Sequence, residues 1–275
     1  MPPQVNSVQL PTGVRLEYAE QGDPGGVPLL LLHGVTDSRR SWEPVLPHLP
    51  ESIRAVAVTQ RGHGDSDRPR GAPYRIDALA DDAAAAIDAL ELGPAVVVGH
   101  SMGGWVAQLL AIKHPERVRA VLLEAAFGSP RDNPDLVGFC EEVAAMPGID
   151  PEFAREFQLS TTERPLPPDL LDMVVGESLK LPGWLWRELF GGFIEVDLAG
   201  RLPAIAAPTL LVWGDRDDFV KRADQDRLAA AIPDARLTVY EGTGHAVHWE
   251  EPERFAADLA AFVAAQASRG ATVAP

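Results

Sequence analysis

The chain has a single cysteine, Cys140, so no disulfide can close within it and no thiolate cluster can hold zinc. The thiol is expected to be a bland buried group. No uninterrupted apolar run approaches the roughly 20 residues that span a bilayer. The opening Met1-Pro2-Pro3-Gln4-Val5-Asn6 lacks the basic start and apolar stretch of a secretory signal. A cytoplasmic protein with no membrane partner is the expectation. Basic residues are also scarce: 24 Lys and Arg stand against 40 Asp and Glu, a formal charge of −16. That balance argues against nucleic acid and anionic surfaces as partners, and mildly against a polyanionic substrate.

What is present is apolar patterning. A chain of 275 residues that is 46% hydrophobic can bury one large core. Short β-branched runs alternate with longer segments of helical period, which predicts a mostly parallel sheet of about eight strands flanked by helices. Val14–Tyr18 alternates like a half-exposed edge strand, whereas Pro28–Leu32, Ile53–Val58 and Ala95–Val98 read as strands buried on both faces. Arg119–Leu123, Thr209–Trp213 and Arg236–Tyr240 continue the sheet. Leu79, Ala83, Ala86, Ile87 and Leu90 mark one helical stripe, and Phe255, Leu259, Phe262 and Val263 another. The rhythm breaks between about Phe127 and Pro203, a stretch rich in Pro, Trp and Phe with no convincing buried strand. It predicts a helical cap at 127–203 inserted into a core domain made of 1–126 and 204–275. Met1 to about Asn6 and the tail from Ala267 to Pro275 read as frayed ends.

Gly99-His100-Ser101-Met102-Gly103 directly follows one predicted strand and precedes the helical run Gly104–Ala111. A serine between glycines in a strand–turn–helix is the arrangement of a strained, exposed nucleophile. The Met102 N–H then lies at a helix start, placed to donate to a developing oxyanion. Leu29–Leu32 runs into His33-Gly34-Val35, where a glycine lets the next N–H point into a site; Val35 is the second expected donor and Gly34 an expected substrate contact. His33 is expected to brace this loop.

Serine at its ordinary pKa needs a histidine to take its proton and a carboxylate to orient that histidine. Of seven histidines, His245 lies in the glycine-rich Glu241–Pro252 segment between the last strand and the last helix. It can reach the carboxyl edge of the sheet, where ligands sit in open α/β folds. His248 is its rival. After the strand ending at Trp213, Gly214-Asp215-Arg216-Asp217-Asp218 offers three carboxylates, of which Asp217 is favoured.

Together His33-Gly34, Arg61-Gly62-His63-Gly64-Asp65-Ser66, the segment around Ser101, Gly214-Asp215-Arg216-Asp217 and Gly244-His245 make the chain resemble the α/β-hydrolase superfamily from about Val14 to Val263. Within it, the capped serine esterases and lactonases are the most similar. The resemblance implies Ser101, His245 and Asp217 as the catalytic set, with Glu124 at the end of the next strand as a rival acid, and no metal or organic cofactor. It implies acyl transfer to water on a small to medium apolar ester or lactone. Carbon–carbon hydrolysis and a small-lactone receptor with residual activity are the alternatives. Trp105, Trp184 and Trp186 are expected to line the substrate pocket, with Phe139, Met146, Phe153, Phe157, Phe190 and Phe193 forming apolar surroundings. A monomer or homodimer is expected.

Overall fold

A computed structural model describes residues 3–271. Eight strands form one sheet in the order β1-β2-β4-β3-β5-β6-β7-β8. They are β1 (Gln4–Gln9), β2 (Arg15–Gln21), β3 (Val27–Leu32), β4 (Ile53–Val58), β5 (Ala95–His100), β6 (Val118–Glu124), β7 (Thr209–Gly214) and β8 (Ala235–Tyr240). β2 runs antiparallel to both β1 and β4, and all other pairs are parallel. The central strands alternate their side chains between two apolar layers. Leu30, Leu32, Val97, Val121 and Leu123 face one layer, which α1 (Ile76–Ala89) and α2 (Met102–Lys113) cover. Leu29, Leu31, Val96, Val98 and Leu122 face the other, where Trp42 and the later helix stripe of Phe255, Leu259 and Phe262 pack.

Between β6 and β7 the chain forms α3 (Pro134–Ala145), α4 (Pro151–Ser160), α5 (Pro168–Leu179) and α6 (Gly183–Phe193), with no strand among the described residues. Proline occupies the first turn of α3, α4 and α5, where its missing N–H costs nothing. Asn133 and Asp150 cap α3 and α4 through bonds of 3.1 and 2.8 Å to Leu136 N and Phe153 N. After β7 come α7 (Arg222–Ala231), the short α8 (Val247–Glu250) and α9 (Pro252–Ala271).

Two expectations need correction. Gln4 to Asn6, expected to fray, belong to strand β1, which pairs in register with β2 from Gln4 opposite Glu20 to Gln9 opposite Arg15. β1 is a largely solvent-facing edge strand, so it carries no buried apolar run to announce it. Ala267 to Ala271 belong to α9, while Met1, Pro2 and residues 272–275 lie outside the described residues.

Candidate active site

The carboxyl ends of β3, β5 and β6 each carry a non-glycine residue with positive φ: Thr36 at +67°, Ser101 at +51° and Ala125 at +47°. Strained backbone of this kind clusters at functional sites. At Ser101 the cause is local crowding. A Cβ on Gly99 would lie 2.1 Å from the Gly103 carbonyl oxygen, and one on Gly103 would lie 2.3 Å from the Leu32 carbonyl oxygen. Only glycine permits so tight a passage from β5 into α2. Ser101 N donates to the Glu124 carbonyl at 3.0 Å and its carbonyl accepts from Gly104 N at 2.8 Å, so the turn is tied on both sides.

Ser101 and His245 lie in the wall of a small, partly open cavity. His245 Nδ1 is 2.9 Å from Asp217 Oδ2, while Asp217 Oδ1 accepts from Phe219 N and Val220 N at 2.8 and 2.9 Å. Those two backbone hydrogen bonds fix the carboxylate plane, and the carboxylate in turn fixes the ring. Burial opposes a charge on His245, but the Asp217 carboxylate and its hydrogen bond, with Glu124 and Asp37 farther off, outweigh it and hold the pKa above its usual 6.5. Such a ring can accept a proton from a serine and return it, and peptide N–H groups beside the serine can hold an oxyanion. Val35 and Met102 both border the cavity next to Ser101.

Glu124 is elsewhere engaged. Its Oε1 accepts from His248 N at 2.9 Å and lies 2.8 Å from His248 Nδ1, and His248 Nε2 lies 2.9 Å from Ser41 Oγ. It makes no hydrogen bond to His245. Burial pushes the Glu124 pKa up to about 7 and drives that of His248 well below 6.5. His100 sits between the two histidines, with ring centroids 5.0 Å from His245 and 4.8 Å from His248. One nitrogen or oxygen from each of His100, Glu124 and His248 falls within 4.8 Å of the others. Glu124 Oε1 and His248 are paired there, while Glu124 Oε2 and His100 Nδ1 are buried without a hydrogen-bond partner, and neither Glu124 nor His248 lines the cavity.

The remaining expected contacts divide. Trp105 lines the cavity, packed edge-on against Phe127. Trp184 and Trp186 do not. Trp184 packs on Tyr74 beneath Arg70, while Trp186 is buried among Phe153, Phe157 and Phe190 and donates Nε1 to the Ser178 carbonyl at 3.3 Å. Gly34 is also absent from the wall: a Cβ there would meet His100 Nδ1 at 2.8 Å, so the glycine makes room for that ring. Phe139, Phe157, Phe190 and Phe193 do line the cavity; Met146 and Phe153 do not. Phe127, Leu136, Thr161 and Phe219 line it without having been expected. Only Phe219 carried a signal, two residues beyond Asp217. Cys140 is buried but faces this cavity, its thiol pushed by burial up to about 12. His33 braces the loop as expected, with Nδ1 2.7 Å from the Gly34 carbonyl and Nε2 accepting from Gln60 N at 3.0 Å.

The chain matches the profile of the alpha/beta hydrolase fold over residues 27–252. It belongs to the alpha/beta hydrolase family. A 2-hydroxymuconate semialdehyde hydrolase from Pseudomonas sp. (strain CF600) is 32% identical over 280 residues, covering 95% of this chain and 95% of that protein. A pimeloyl-(acyl-carrier protein) methyl ester esterase from Neisseria meningitidis is 30% identical over 242 residues, covering 85% of this chain and 92% of the relative. Among solved structures, an esterase from Rhodococcus sp. ECU1013 superposes with a TM-score of 0.82 at 25% identity, covering 96% of this chain and 99% of that one. The hydrolase family therefore includes esterases and carbon–carbon hydrolases similar to this chain. No helix among the described residues is long and apolar enough to cross a membrane.

Proposed function

We propose that this alpha/beta hydrolase cleaves a carboxylic ester or lactone of a small to medium, uncharged apolar substrate through an acyl-enzyme. Ser101 is the nucleophile, His245 the base and Asp217 the acid that orients it. The Ser101 proton passes to His245 Nε2 as Oγ bonds to the carbonyl carbon, and the oxyanion is held by the Val35 and Met102 N–H groups. The C–O bond to the leaving alcohol then breaks as His245 returns its proton to that oxygen. Water then attacks the acyl carbon, giving up a proton to His245; the C–Oγ bond breaks as His245 returns that proton to Ser101 Oγ, and the acid departs.

The observation that carries this reading is the composition of the cavity wall. Beside Ser101, His245, Thr161 and Cys140 it is apolar, and no Asp, Glu, Lys or Arg side chain lines it. An ionised substrate would lose its hydration there with no counter-charge to replace it. The same point weighs against carbon–carbon hydrolysis of a muconate-type substrate, whose carboxylate calls for a cation. Helices α3, α4 and α6 supply Leu136, Phe139, Phe157, Phe190 and Phe193 to the wall, so the insertion at 127–203 acts as the cap that selects the substrate.

The test is labelling with a fluorophosphonate probe, followed by steady-state turnover of a panel of p-nitrophenyl esters and lactones. Labelling lost in Ser101→Ala, with fastest turnover on uncharged short to medium acyl groups, supports the reading. Preference for cationic or anionic esters, or turnover confined to a vinylogous diketone, overturns it.

A further inference from the structure

The loop after β3 carries Val35, and the next residue is strained. Thr36 is β-branched and fully buried, yet its φ is +67°. A β-branched residue keeps such a conformation only where its surroundings over-determine it. Those surroundings come largely from the insertion. Gln158, buried in α4, places Nε2 3.2 Å from Thr36 Oγ1, 3.2 Å from Asp37 Oδ1 and 2.7 Å from Ser178 Oγ. An amide NH₂ has two protons, so these three acceptors compete for one donor group and hold it at their centre. Ser178 Oγ, in α5, is itself 3.1 Å from Thr36 Oγ1 and donates to the Val174 carbonyl at 3.0 Å. From the core, Ser41 Oγ reaches Asp37 Oδ2 only at 3.4 Å, and the turn bond from Asp37 N to the Gly34 carbonyl is also 3.4 Å. The core holds the Gly34 carbonyl through His33 Nδ1 at 2.7 Å, but on the side chains of Thr36 and Asp37 the shorter contacts are the ones that arrive from α4 and α5. Phe157, Gln158's neighbour in α4, lies in the cavity wall with Thr161.

We infer that Gln158 is a positioning residue for turnover: by clamping Thr36 and Asp37 it fixes the path of the loop and thus the direction of the Val35 N–H. The inference rests on the reading of that N–H as an oxyanion donor. It gives the insertion a part in the chemical step as well as in substrate choice. A donor misaimed by a fraction of an ångström stabilises a bound ester little less than before, but the tetrahedral oxyanion much less.

Gln158→Met keeps the volume and removes the donor. On p-nitrophenyl butyrate it is expected to lower kcat by about tenfold or more, approaching the 10²- to 10³-fold associated with loss of a whole oxyanion donor, with KM within about twofold. Thr36→Gly removes the strain that the clamp opposes, because glycine adopts positive φ freely. Gln158→Met should therefore cost much less in the Thr36→Gly background. An equal loss in both backgrounds, or a loss carried wholly by KM, overturns the inference. Wild type and Ser101→Ala run beside these variants separate the two levels of argument: an active wild type, an inactive Ser101→Ala and an unimpaired Gln158→Met would sink the clamp alone. Should wild type turn over no ester, the clamp is still judged by amide hydrogen exchange. Faster exchange over 34–37 in Gln158→Met at unchanged melting temperature supports it, and unchanged exchange overturns it.

Discussion

Among the described residues are two buried histidine–carboxylate pairs, on histidines three residues apart, and by distance alone they are equivalent. His245 Nδ1 is 2.9 Å from Asp217 Oδ2 and His248 Nδ1 is 2.8 Å from Glu124 Oε1. The second pair even has its serine, with Ser41 Oγ 2.9 Å from His248 Nε2. What separates them is everything around the three side chains. His245 borders an apolar cavity, whereas Trp42, Trp249 and Phe255 close over His248 at ring distances of 4.5, 5.3 and 6.1 Å. Ser101 is held at φ +51° at the start of a 12-residue helix; Ser41 sits in the short turn Arg39–Trp42 without that strain. A serine, a histidine and a carboxylate in line are not by themselves a catalyst. Access, a strained nucleophile and oxyanion donors distinguish the pair proposed to react from the pair that holds the core.

The largest effect that would break this comparison is on the serines. Ser101→Ala is expected to lower kcat by about 10⁶-fold, while Ser41→Ala leaves it within about tenfold. Ester hydrolysis rates would check both, and comparable losses would mean the sealed set takes part. Next come the acids. Asp217→Asn should lower kcat by about 10⁴-fold by disturbing the tautomer and orientation of His245. Glu124→Gln should leave turnover within about tenfold, since an amide oxygen can still accept from His248 N and Nδ1. Glu124→Leu strands both donors in a dry site and should destabilise the fold by about 1–3 kcal/mol, read from denaturant midpoints. If Glu124→Gln matched Asp217→Asn in kcat, the assignment of the acid would be reversed.

The two histidines also differ in sign of pKa shift, which sharpens the contrast. His245 must be neutral to act as a base, so kcat/KM falls as pH drops through its pKa. Because that pKa is raised, the acid limb lies above pH 6.5. His248 has its pKa driven well below 6.5 by burial and by the nearby His245, so it stays neutral across the same range. Nitrogen-15 NMR of the imidazoles should show one ring titrating in step with activity and the other silent. Both titrating together would show that the pairs are coupled rather than separate.

The amount of this that could be read from the chain follows the range of the interactions involved. The turn at Ser101 is legible because its glycines are required by contacts within a few residues, such as Gly99 against Gly103. Seven of the eight strands announce themselves as short apolar or alternating runs, but β1 is edge-exposed and polar and carries no such signal. The Glu124–His248 pair joins residues 124 positions apart, and nothing local marks Glu124 as a partner of His248 rather than of His245. Gln158 is more hidden still, since its partners Thr36 and Asp37 lie 122 and 121 residues away. Local pattern marks a candidate nucleophile; it does not say what closes over it.

The smallest expected effect tests that last point on the insertion. α6 is aromatic on more than one side, so composition could not say which rings reach the cavity. Phe190 and Phe193 do, while Trp184, on the same helix, is half-buried against Tyr74 with the Arg70 guanidinium 5.7 Å from its ring. Trp184→Ala should therefore change KM and kcat for a p-nitrophenyl ester by less than about twofold, and cost less stability than a core truncation because the ring is only partly buried. Phe190→Ala removes a buried ring from the wall itself and should raise KM for medium-length acyl chains far more, besides costing about 3–5 kcal/mol as a large core truncation. Equal effects of the two on KM would mean that the substrate reaches past the phenylalanine wall to the Tyr74 side of α6, and the apolar cavity beside Ser101 would be only part of the binding site.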